Sequence, residues 1–114
     1  GKRYQDLRKQ LERLYPSAPW LVCNLYDPTD GIGQLPGRAE RGLPPRPALV
    51  ECLARLNQVI AEVAGADLVD IHTLCLGHGW SRRLPLWFQM DIEPNREGAV
   101  QIADLILSRL RTRS

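Results

Sequence analysis

The sequence lacks the features that mark several large classes of protein. None of its apolar runs approaches the roughly 20 residues that a membrane-spanning helix needs, and the first residues lack the apolar core of a signal peptide. Three widely spaced cysteines form neither a disulfide framework nor a paired zinc motif. The net charge of +2 is too small to indicate nucleic-acid binding. We therefore expect a cytoplasmic protein with reduced thiols that binds neither nucleic acid nor membrane.

The composition is that of one globular domain. The chain has 114 residues, of which 44% are hydrophobic and 25% are charged, and both values are ordinary for a single domain. Residues 1–114 are accordingly predicted to form a single α/β domain. Within it, residues 27–47 are rich in proline and glycine and show no periodic pattern, so we predict a long loop that is either functional or disordered.

Three segments have the apolar spacing of amphipathic helices. The first ends before Pro16, the second begins at Pro47 and stops at Gly65, and the third is capped by Asn95. The missing side chain at Gly98 is expected to let the third helix approach another backbone closely.

Two short, mostly apolar runs lie between these helices, at residues 20–26 and 67–72. Such runs are expected for strands covered on both faces, and strands separated by helices pair in parallel. Residues 84–90 offer a further edge strand, although Pro85 opposes it. The resulting order, α-β-α-β-α, predicts an α/β fold with two parallel strands and three helices.

Two parallel strands are too small a sheet to cover three helices. Both edges of such a sheet stay unpaired, and a pair of strands is barely stable alone. We therefore expect further strands from a missing N-terminal half or from a second copy of the chain that pairs at the sheet edge, with a covering loop as the remaining alternative. The chain is then the incomplete, C-terminal part of a domain.

The candidate catalytic residues lie in segments 70–79 and 87–99. His78 stands between two glycines, so its ring is free to enter a cleft and act as a general base; the alternative is an ordinary surface histidine. Glu93 precedes the last helix and either orients a histidine or only complements the helix dipole. Asp91 competes with Glu93 for the orienting role.

Other interpretations of the same cluster remain open. His72 ends a predicted strand beside Asp70, and we expect a local hydrogen bond to satisfy it. Cys75 is expected to be a packed thiol rather than a nucleophile, because no feature of its surroundings favours the thiolate. A zinc site has an unfamiliar spacing here, so no metal site is predicted. Its ligands would be His72, Cys75, His78 and Asp91 or Glu93.

Residues 92–99, Ile-Glu-Pro-Asn-Arg-Glu-Gly-Ala, are followed by an apolar helix. They resemble the last conserved block of the SGNH/GDSL-type hydrolases, Asp-x-x-His-Pro-Asn-x-x-Gly. Residues 24–28, Asn-Leu-Tyr-Asp-Pro, and residues 66–71, Ala-Asp-Leu-Val-Asp-Ile, look like pieces of the C-terminal half of the same family. The sequence departs from the family at Glu93 and Met90, which take the histidine and aspartate positions. It also has no Gly-Asp-Ser block and no Gly-x-Asn-Asp block.

The resemblance implies a three-layer α/β/α sandwich of the flavodoxin-like kind. It also implies hydrolysis of a small ester through a serine nucleophile, without a metal or an organic cofactor. His78 would be the base, Glu93 its orienting acid, and the loop 27–47 part of the substrate rim. Because the chain has no block for the serine, we predict that it has no esterase activity alone. The competing interpretation is a non-catalytic interaction module that pairs through its sheet edge.

Overall fold

The computed structural model describes residues 1–113, which are mostly helical. Five α-helices form in chain order. They are α1 (Lys2–Leu14), α2 (Pro36–Glu40), α3 (Pro47–Ala64), α4 (Ile71–Cys75) and α5 (Arg96–Arg113). Four strands of two residues each lie between them. They are β1 (Val22–Cys23), β2 (Leu68–Val69), β3 (Phe88–Gln89) and β4 (Glu93–Pro94).

The predicted three-layer α/β/α sandwich is wrong. The described chain contains two separate two-stranded sheets, a parallel pair of β1 with β2 and an antiparallel pair of β3 with β4. The apolar runs at 20–26 and 67–72 therefore contribute only two strand residues each. Neither sheet is large enough to form a layer between helices.

Two polar side chains explain why the parallel strands stop so early. Asp70 accepts a hydrogen bond from the backbone N–H of Thr73 and caps α4, so the chain turns into a helix directly after β2. On the other strand, Asn24 donates from Nδ2 to Asp70 at 2.7 Å and accepts the N–H of His72 at 2.9 Å. The side chain of Asn24 thus fastens the end of β1 to the cap of α4.

The predicted boundaries of the long helices are confirmed. α1 ends at Leu14, two residues before Pro16, and α3 begins at Pro47 and is followed by Gly65 with φ +54°. The side chain of Asn95 caps α5 by accepting the N–H of Gly98 at 2.9 Å. These signals are local in sequence, so they hold whatever the tertiary arrangement.

The core is small and lies beneath α5. Its buried members are Val69, Ile71, Cys75, Trp87 and Phe88. In contrast, α1 buries no residue, and large apolar side chains stay exposed on three helices, among them Leu14, Leu56 and Leu107. The molecule is elongated, with extents of 50 × 29 × 19 Å. Within residues 1–113, no helix is both long and apolar enough to cross a membrane.

Asp67 joins the two ends of the chain. Its carboxylate accepts hydrogen bonds from the guanidinium groups of Arg8 in α1, at 2.8 Å, and of Arg113 in α5. Burial opposes ionisation of Asp67, but the hydrogen bond and charge of Arg113 and the charge of Arg8 outweigh it, so the pKa of Asp67 is lowered. Asp67 therefore links a side chain of α1 to a side chain of α5.

Asp67→Asn is expected to reduce the free energy of unfolding by up to about 1 kcal/mol at pH 7, because solvent screens the two ion pairs. Because the pKa of Asp67 is lower in the folded state, its ion pairs stabilise the protein fully above the pKa of the unfolded carboxyl, about 3.9. This stabilisation is lost as the pH falls through the lower pKa of the folded state. Urea unfolding at pH 7 and near pH 2 measures the free energy of unfolding of both proteins. The two proteins should differ at pH 7 and converge in acid; a difference that persists in acid contradicts the ion-pair explanation.

Candidate functional site

Two contacts fix the ring of His78, which lies in the loop between α4 and β3. Nδ1 is 2.7 Å from the carbonyl oxygen of Pro85. The ring also stacks on that of Trp87, with centroids 3.4 Å apart and planes 7° from parallel. A carbonyl oxygen only accepts hydrogen bonds, so Nδ1 carries the proton, and Nε2 of the neutral ring keeps its lone pair. This is the tautomer that a general base at Nε2 requires.

The Gly77-His78-Gly79 loop is attached to the loop that follows β1. The carboxylate of Asp30 accepts the N–H groups of Gly77, at 2.8 Å, and of Gly79, at 3.3 Å. The N–H of Trp80 donates to the carbonyl oxygen of Pro28 at 2.8 Å. Segments almost 50 residues apart in sequence therefore form one unit around His78.

Glu93 begins the turn whose third residue, Asn95, binds Trp87. It is exposed on β4, opposite Gln89 of β3. Two residues later, the N–H of Asn95 donates to the carbonyl oxygen of Trp87 at 2.7 Å. The N–H of Trp87 in turn donates to the carbonyl oxygen of His78 at 2.9 Å. Within residues 1–113, no hydrogen bond or ion pair joins His78 to Glu93, and Nδ1 of His78 is bound to the carbonyl of Pro85 instead.

Asp91 is turned toward the long loop. Its carboxylate accepts the N–H of Gly37 at 3.0 Å, and its carbonyl oxygen accepts Nε1–H of Trp80 at 2.8 Å. Asp91 and the preceding Met90 both have positive φ, at +68° and +45°. This turn therefore joins loop 27–47 to β4.

His72 and Cys75 both belong to α4 rather than to a strand end. The predicted local hydrogen bond of the His72 ring is wrong, because Nδ1 lies 3.1 Å from the carbonyl oxygen of Leu25, 47 residues away in sequence. Cys75 is a packed thiol as predicted, because it is buried, and burial together with the charge of Asp30 raises its pKa to about 11. In the described part of the chain, no three His, Cys, Asp or Glu side chains are placed to hold a metal ion.

An open groove of about 890 Å³ runs beside the His78 loop. One wall comes from residues 29–40, and the other from residues 80–82 and 90–91. Three non-glycine residues with positive φ border it, namely Arg82, Met90 and Asp91. Such backbone costs free energy and persists only where surrounding contacts hold it.

The sequence did not identify three residues that build this site. Pro85 accepts from the His78 ring, Trp87 stacks on it, and Asp30 binds its loop. Pro85 entered the sequence analysis only as a residue that opposes an edge strand at 84–90. The single local signal was at Asp30, an aspartate directly before a glycine, which is typical of turns that require left-handed backbone.

Comparison of the chain with models of protein families, with curated proteins and with solved structures found no match. The similarity to the SGNH/GDSL-type hydrolases therefore rests on the residues of this sequence. Any functional conclusion depends on how the structure arranges those residues.

Proposed function

We propose that this chain supplies the histidine base of a serine ester hydrolase of the SGNH/GDSL type. One observation supports this proposal above the others. The Gly-His-Gly loop and the Glu-Pro-Asn turn lie on either side of Trp87 in sequence, and both bind its backbone, while the ring of His78 stacks on the Trp87 side chain and donates from Nδ1 to Pro85.

In this proposal, Nε2 of His78 takes the proton from a serine hydroxyl as its oxygen attacks the ester carbonyl. His78 then gives the proton to the leaving alcohol, and a second cycle with water releases the acid. The carbonyl of Pro85 holds the Nδ1–H in place in both steps. Because that carbonyl is neutral, we assign Glu93 the role of stabilising the imidazolium by its charge, without a direct hydrogen bond.

The serine is assigned to a segment that precedes Gly1 in the same polypeptide. The sequence has no Gly-Asp-Ser block, but β1 offers a place for another strand. The N–H of Asn24 points to β2, where it donates to Val69. Alternate residues point their backbone groups to opposite sides, so those of Cys23 point away from β2. The exposed apolar side chains of α3 and α5 offer surface for the same segment to cover.

The unpaired cysteines favour a cytoplasmic location.

The test is hydrolysis of p-nitrophenyl acetate by the product of the complete reading frame that encodes these residues. His78→Ala is expected to lower kcat by at least about 10³-fold, and Glu93→Gln by only about tenfold, because Glu93 acts through its charge alone. His72→Ala is the matched histidine control and should retain full activity. Residues 1–114 alone should show no turnover. An active His78→Ala variant, or a reading frame without esterase activity, refutes the proposal.

A second candidate function is non-catalytic pairing through the open edge of β1, and the outward backbone of Cys23 favours it. Cys23→Pro removes the outward N–H but leaves the ladder to β2 intact. If residues 1–114 form a dimer in size exclusion with light scattering, the proline variant should be monomeric and Cys23→Ser should stay dimeric. A monomeric wild-type chain rules this function out.

A further inference from the structure

We propose that Asp30 is the residue that positions His78 for catalysis, an inference that rests on the proposed function. Asp30 lies in the loop after β1, but its carboxylate accepts the N–H groups of the two glycines that flank His78. The N–H groups of Gly77 and Gly79 donate to one carboxylate oxygen, at 2.8 and 3.3 Å, and the hydroxyl of Ser81 donates to the other. Hydrogen bonds to a charged acceptor are stronger than those between neutral groups, so Asp30 holds the loop firmly.

The surroundings of Asp30 suit a fixed support rather than a surface acid. Asp30 is buried and has φ +52°, a conformation that aspartate tolerates better than most residues. Next to it, the backbones of the two loops touch: a Cβ on Gly79 would lie only 2.3 Å from the carbonyl oxygen of Pro28. The contact leaves no space for the loops to slide past each other.

Fixing the loop backbone also fixes the ring. The two glycines beside His78 have more backbone freedom than any other residue type, and Gly77 already has φ +86°. Without Asp30, the contacts that remain at the ring are the stacking on Trp87 and the single hydrogen bond to Pro85. Asp30 therefore helps to set the position of the backbone from which the ring, and with it Nε2, projects. Thr29, which precedes Asp30, and Ser81, which donates to the Asp30 carboxylate, both line the groove. Asp30 therefore connects the groove wall to the loop that carries His78.

The test is proton NMR of residues 1–114. In the wild type, the ring protons of His78 should be shifted upfield, because they lie over the face of the Trp87 ring. Asp30→Ala should move them to the positions of a free histidine, whereas Asp30→Asn, which keeps an acceptor for both N–H groups, should retain most of the shift. Unchanged His78 signals in Asp30→Ala overturn the proposal.

Asp27→Ala is the matched control. Asp27 is also a buried carboxylate of this loop, but it binds only Thr29 and Gly31, inside the loop itself. Its replacement should leave the His78 signals in place. If Asp27→Ala moves them as far as Asp30→Ala does, the effect is general disorder of the loop and Asp30 has no special role.

Hydrogen exchange keeps the proposal testable if Asp30→Ala does not fold. The amides of Gly77 and Gly79 should exchange about tenfold faster in Asp30→Asn than in the wild type, because the charge of the acceptor is lost. Equal rates overturn the proposal. An esterase-inactive reading frame would refute the proposed function without affecting these measurements, so the two failures are distinguishable.

Discussion

Trp87→Ala is expected to lower the free energy of unfolding by about 3–5 kcal/mol, the usual cost of removing a buried aromatic side chain. Trp87 is only 7% exposed and belongs to the buried cluster with Val69 and Phe88. Its backbone also joins the loop of His78 to the turn before α5. The variant should therefore lose both core packing and the surface on which the His78 ring stacks.

Urea unfolding followed by circular dichroism measures this loss. Trp87→Phe is the control, because phenylalanine keeps an aromatic face for His78 and most of the buried area. It should cost less than half as much as the alanine variant. A loss below about 1 kcal/mol for Trp87→Ala would mean that this tryptophan is not part of the core.

Gly79→Ala is expected to cost about 3 kcal/mol, at the upper end of the range for overpacking. The added Cβ would lie 2.3 Å from the carbonyl oxygen of Pro28 and 3.0 Å from the carboxyl carbon of Asp30. A backbone oxygen cannot swing aside, so the loops around His78 must separate. The hydrogen bond from Trp80 to Pro28 should be lost with them.

Gly37→Ala is the matched control for this variant. Its Cβ would also be too close to an oxygen, at 2.7 Å, but that atom is the carboxylate of Asp91, the end of a side chain that can rotate away. We expect a loss of about 1 kcal/mol or less. Equal losses for the two variants, measured by urea unfolding, would show that the Gly79 contact is not rigid.

The helices of this protein are predictable from sequence because their signals are local. Pro47, Gly65 and Asn95 each set a helix boundary through their own backbone or side chain. The sheet is not predictable in this way. An apolar run indicates that a segment is buried, but pairing depends on distant partners, and here the side chains of Asn24 and Asp70 end the ladder after two residues.

The same distinction applies to the candidate site. A histidine between two glycines is visible in the sequence, and so is the carboxylate of Glu93. The contacts that give His78 its tautomer and position come from Pro85, Trp87 and Asp30, and they depend on how the chain folds back on itself. No spacing of residues in the sequence predicts these contacts.

Nitrogen-15 NMR of the histidine-labelled chain tests most directly whether His78 is poised as a base. Long-range proton–nitrogen correlations at neutral ring charge distinguish a protonated ring nitrogen from an unprotonated one. The hydrogen bond to Pro85 predicts a proton on Nδ1 and a lone pair on Nε2. A neutral ring with its proton on Nε2, or one that exchanges freely between both forms, would contradict the assignment of His78 as the general base.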